Sequence, residues 1–107
     1  MITTNQWLPI GSVVHVEGAP SLMVVAGCMQ KDAEDGRLWD YFGYPYPIGN
    51  FGEAAGAVFN KDAIDGVYFI GYQDVDGLRY QDVLEADEGE FNRQKAAAEA
   101  AAGKASK

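Results

Sequence analysis

The sequence predicts a small α+β protein, mainly β: an antiparallel sheet, open or partly closed into a barrel, with short helices and a C-terminal helical tail. Three observations carry this. Short runs of β-branched and aromatic residues recur as far as Tyr72, each bounded by Gly, Pro, Asn or Asp. Strong helical periodicity is absent between them. Past residue 84 the composition turns to helix formers, ending in EFNRQKAAAEAAA before Gly103.

Ser12 to Val16 is the first strand, and Glu17-Gly18-Ala19-Pro20 turns it. Leu22 to Ala26 answers it as an antiparallel hairpin partner. That segment is apolar throughout, which predicts cover on both faces. Gln30 to Gly36 reads as a polar loop. Leu38 to Tyr44 is the third strand, with Leu38, Asp40, Phe42 and Tyr44 on one face and Trp39 and Tyr41 on the other. Asp40 then needs a partner or a place at an edge. The next segment, Pro45 to Gly52, is a loop; its prolines hold the preceding residues extended, so Tyr46, Ile48 and Phe51 sit on a stiff backbone. Ala57 to Phe59 is a short strand. Asn60 is placed to cap one helical turn over Lys61 to Ile64.

Val67 to Tyr72 reads as the clearest strand, with Val67 and Phe69 on one face and Tyr68, Ile70 and Tyr72 on the other. Asp76-Gly77 reads as a turn, followed by a short helix around Leu78, Val83 and Leu84. The helix over Glu90 to Ala102 has one large apolar residue, Phe91, so little burial is expected of it. The expected organisation is one β-rich domain over 1–84 and an acidic, then Ala-rich, helical tail over 85–107, either mobile until a partner orders it or a helix solvated on all sides.

A length of 107 residues fits one domain. Sixteen acids against eight bases give a net charge of −8. Such a surface repels phosphate backbones and anionic headgroups, which argues against nucleic-acid partners, and suits a basic protein partner. The single cysteine, Cys28, permits no intramolecular disulfide and fits a cytoplasmic setting. Residues 1–6 lack the positive charge and apolar run of a signal peptide. No apolar run approaches the roughly 20 residues of a membrane span.

Candidate chemistry is sparse. His15, the only histidine, has no orienting acid or nucleophile near it in sequence. Cys28 follows a buried strand and reads as an inert thiol. The acidic groups at Asp32-Glu34-Asp35 lack calcium-loop spacing. The loop glycines Gly43, Gly49, Gly52 and Gly56 form no phosphate-binding motif. The expectation is a protein without catalytic residues, metal or cofactor. Ten aromatic residues lie between Trp39 and Tyr72. Phe42, Phe59 and Phe69 are assigned to the core. Trp39, Tyr41, Tyr44, Tyr46, Ile48, Phe51, Tyr68 and Tyr72 are the candidate protein-binding residues, because tyrosine and tryptophan suit interfaces. A small-ligand groove would use the same rings.

Four blocks occur in order: Leu8-Pro9-Ile10-Gly11-Ser12-Val13-Val14, Leu22-Met23-Val24-Val25-Ala26-Gly27, Trp39-Asp40-Tyr41-Phe42-Gly43-Tyr44-Pro45-Tyr46-Pro47-Ile48-Gly49, and the run from Phe59 to Tyr72. Together they resemble a family of small bacterial domains, formally of unknown function, encoded beside LXG toxins of Gram-positive type VII secretion systems. The resemblance covers about residues 7 to 84. It implies a cytoplasmic accessory, a chaperone or targeting factor that binds an LXG toxin and its helical secretion partners, with no catalytic residue or cofactor. An immunity protein that neutralises a toxin is the alternative, and a small-ligand-binding domain a lesser one.

Overall fold

The computed structural model describes residues 7–52 and 55–105, with side chains as far as residue 101. The expectation about residues 1–6 lies outside that range. The strands are β1 (Val13–Val16), β2 (Met23–Lys31), β3 (Leu38–Pro45), β4 (Ala57–Phe59) and β5 (Ile64–Phe69). A 3-10 turn covers Lys61–Ala63, and one helix, α1, runs over Val75–Ala105. The strands form one sheet in the order β4-β3-β2-β1-β5, every neighbouring pair antiparallel. The fold is α+β, mainly β, and the sheet is open rather than closed into a barrel.

Local sequence explains most of this. The β1–β2 hairpin sets Val13 opposite Val24 and Val14 opposite Met23. β2 continues past the expected strand, because Gln30 and Lys31 pair with Trp39 and Leu38. The β2–β3 connection is thereby shortened to a tight loop, held by the Asp32 and Arg37 backbones at 2.8 Å and by the Glu34 N–H donating to Asp32 Oδ1 at 2.9 Å. β5 starts earlier than expected, at Ile64, which is buried.

One sheet face is covered. Val14, Met23, Val25, Tyr41, Phe59 and Ile64 share a core with Trp7, Leu8, Leu84 and Phe91. Trp7 is its centre: its ring meets Tyr41 edge-on at 5.4 Å and Phe91 at 6.1 Å, with Lys61 Nζ 3.8 Å over its face. The expectation of cover on both faces of Leu22 to Ala26 does not hold. Val25 is buried, but Val24 is half-buried and Ala26 exposed, because α1 lies on one side only.

The C-terminal region also departs from expectation. Asp76-Gly77 is no turn, and there are not two short helices. Asp74 caps α1 by accepting the Gly77 N–H at 2.9 Å, and the helix runs unbroken through residues 84 and 85, where a domain boundary was expected. Leu84 and Phe91 lie two turns apart on one face, and both are buried. The next turn adds Lys95, whose ammonium lies 3.0 Å from Asp40. A further pair joins Lys61 to Glu88 at 2.6 Å. Asp40 thus finds the partner its position demands. It also accepts the Lys61 N–H at 2.8 Å, taking the capping role expected of Asn60, whose side chain instead accepts the Asp40 N–H at 3.1 Å. Helix and sheet share one core.

Candidate functional site

The uncovered sheet face follows from strand alternation. Val14 and Val25 point to the core, so Val13 and Val24 point away from it. Phe42 and Tyr44 share that outer face and pack edge-on at 5.1 Å. Toward β4 the face is closed locally, because the chain at Gly56 crosses the Phe42 ring. A Cβ at Gly56 would stand 2.0 Å from that ring, so only glycine permits the crossing. Toward β5 the face stays open and forms a groove of about 540 Å³.

Two local features build this groove. The Tyr46 N–H donates to the Leu22 carbonyl at 2.8 Å, and the loop turns back where the Gly49 N–H meets the Pro45 carbonyl at 2.7 Å. Tyr46 is thereby held beside Leu22 and Val24. On β5, Val13 pairs with Phe69 and Val14 with Val67, so Tyr68 is an extra, bulged residue. The bulge turns Tyr68 to the same side as Phe69, and both rings line the groove. Strict alternation would separate them.

The candidate residues scatter accordingly. Tyr46 and Tyr68 meet in the groove. Ile48 and Phe51 are exposed on the adjoining loop, outside its lining. Tyr44 is half-buried beside Phe42, and Trp39 is half-buried at the far end of β3. Tyr72 lines a separate cavity of about 240 Å³, with Cys28, Tyr80 and Leu84. Tyr41 is no surface residue: it is 0% exposed, packs on Phe59 at 5.6 Å, and accepts the Leu8 N–H at 2.8 Å. Assignment of Phe42 and Phe69 to the core is likewise corrected, since Phe42 is half-buried on the outer face and Phe69 is exposed in the groove, whereas Phe59 is buried in the core. Val13, Leu22, Val24 and Phe69 were missed as lining residues.

His15 does meet an acid, 50 residues away. A second bulge on β5 leaves Asp65 extra, and its carboxylate lies 2.6 Å from His15 Nδ1 on the surface. Among the described residues no group of three or more metal-ligating side chains is found. No described helix is long and apolar enough to cross a membrane.

The groove lining carries no ionisable acid or base apart from the tyrosine hydroxyls. Perturbed groups lie in the core instead. Burial pushes the Cys28 thiol up from 9.0 to about 11, with Lys61 partly opposing and Asp40 adding to the rise. Burial also raises the Tyr41 hydroxyl well above its ordinary value. For both groups the fold favours the neutral form, so the unfolded chain ionises first as pH rises. The Cys28 contribution is complete below about pH 9 and is lost as pH climbs through about 11, while that of Tyr41 begins to fall only above about pH 10 and goes on falling beyond the thiol's window. Urea midpoints should therefore fall across that window, and less steeply in Cys28→Ala. An equal slope in that variant would show that the thiol is not desolvated.

The model of one protein family, a domain of unknown function (DUF4176), matches residues 7–80. No curated protein and no solved structure matches the chain.

Proposed function

The chain belongs to the DUF4176 family, a domain of unknown function, and from the resemblance of its four sequence blocks and from the open sheet face we propose a non-catalytic, protein-binding accessory of type VII secretion. In this reading it works in the cytoplasm as chaperone or targeting factor for an LXG toxin, as the resemblance above implies. The supporting observation is the asymmetry of the sheet. One face is sealed by α1, while the other leaves Tyr46, Tyr68 and Phe69 in an open apolar groove. Exposed aromatic clusters of this kind are characteristic of docking sites. The rings stand on strands and a hydrogen-bonded loop, so little entropy is lost when a partner is bound.

The test is co-purification with the toxin encoded beside this protein, divided into N-terminal and C-terminal halves, with toxicity assayed on the complex. Capture with toxicity intact supports the chaperone reading. Capture with toxicity abolished replaces it with a neutralising immunity protein, and failure of both halves to bind removes the reading. Tyr46→Ala combined with Phe51→Ala should shift stability by no more than about 0.5 kcal/mol per site, because both side chains are exposed. The same double variant should weaken toxin capture. Loss of fold in it would place those rings in the core.

A further inference from the structure

We propose that the groove across β2, β1 and β5 receives a cationic amphipathic α-helix of the partner, its apolar stripe seated on Tyr46, Tyr68 and Phe69. This rests on the protein-binding reading and specifies what is bound.

A β protein captures a segment either along a sheet edge or on a face. The edges here are blunted. β4 has three residues, and β5 carries bulges at Asp65 and Tyr68 that break the regular outward row of N–H and C=O groups. An added strand would find a poor ladder on either side. The face remains, and its lining decides the occupant's backbone. Gly11, Val13, Leu22, Val24, Tyr46, Tyr68 and Phe69 present apolar surface and two phenol hydroxyls. They cannot satisfy the backbone of an extended segment, whose buried polar groups would go unpaired. A helix satisfies its own. The dimensions agree: three strands at a spacing of about 4.8 Å span about 10 Å, the width of a helix.

Charge decides the sign. The chain carries −8, so an acidic helix or a second copy of this chain is repelled. Several of its bases are already engaged in ion pairs: Lys95 with Asp40, Lys61 with Glu88, Arg93 with Glu90 and Arg37 with Asp35. The groove lining itself is uncharged, so lysine and arginine on an incoming helix are favoured by the field of the whole chain and by the open faces of the rings, which attract the same cations.

The probe is a synthetic peptide of about 18 residues, five helical turns, with leucine on one stripe and lysine elsewhere. A second peptide carries glutamate in place of lysine. Binding to the full chain is followed by fluorescence anisotropy, and peptide helicity by circular dichroism. The lysine peptide should bind at least about tenfold more tightly than the glutamate peptide and gain helix on binding. Tyr68→Lys and Phe69→Ala should each weaken it by about tenfold or more, and Tyr68→Lys should narrow the gap between the two peptides. Those side chains are 67% and 60% exposed, so both variants should fold, as an unchanged melting temperature would verify. Val83→Ala, on an exposed α1 position and without change of charge, should bind like the parent. Equal affinity for both peptides overturns the proposal, as does lysine-peptide binding that ignores Tyr68→Lys. If the peptide fails while toxin is still captured, the helix assignment is wrong and the protein-binding reading stands.

Discussion

A chain ending at Gly89 will not hold its native packing at 25 °C. Phe91 is 8% exposed and packs edge-on against Trp7, the centre of the core. Removing a buried aromatic side chain costs about 3–5 kcal/mol. The same truncation removes Lys95 and leaves the buried Asp40 carboxylate without its counter-ion, a further loss of about 3–5 kcal/mol. Together these approach the roughly 5–15 kcal/mol that a domain of this size has in total. Near-ultraviolet circular dichroism should collapse, and urea unfolding should lose its cooperative transition. Phe91→Ala alone should lower stability by about 3–5 kcal/mol while leaving a cooperative transition. The opposite expectation, that residues 90–107 can be removed at little cost, follows when Phe91 is read as one apolar residue on a solvated helix. A truncated chain with an unchanged melting temperature would vindicate that view and show that α1 is not docked.

Lys95→Met should be the most damaging substitution that preserves volume. Methionine keeps the aliphatic packing of the lysine stem and removes the charge. Asp40 then stays buried, still accepting the Lys61 N–H at 2.8 Å but without the ammonium of Lys95 beside it. Breaking a buried pair on one side costs about 3–5 kcal/mol, whereas an exposed pair would cost about 1 kcal/mol or less. Adding Asp40→Asn should recover at least half of the loss. The amide oxygen can still accept the Lys61 N–H, and no charge is left buried. Urea titration of the parent, both single variants and the double variant gives the coupling energy directly. Single-variant losses under about 1 kcal/mol would mean that water reaches this pair despite its burial.

The candidate site was legible in part, for reasons that particular residues make plain. Tyr46 could be placed on an exposed loop because Pro45, Pro47 and Gly49 mark one. Alternation places Tyr68 on one face of a strand, and its side chain is exposed. Its neighbour Phe69 is misplaced, because alternation assigns successive residues to opposite faces and a bulge places both on one. No residue in the segment announces that bulge. Tyr41 failed differently. Alternation divides β3 into two faces without saying which is inside, and the answer depended on where Trp7 and α1 came to rest.

By itself, the sequence determined the class of fold, the β1–β2 hairpin, the loop carrying Tyr46, and the strand segments around residues 38–44, 57–59 and 67–69. These depend on residues close in the chain: turn formers, β-branched runs and alternation over a few positions. Only the tertiary structure decided which sheet face is sealed, that α1 is one docked helix, and that Asp40 is neutralised by Lys95, 55 positions away. Two buried residues, Leu84 and Phe91, and two ion pairs, Lys95–Asp40 and Lys61–Glu88, hold that helix, too few for a periodic signal but enough to bury a face. The open groove is the consequence: a single helix covers one side of a five-stranded sheet and leaves the other to solvent.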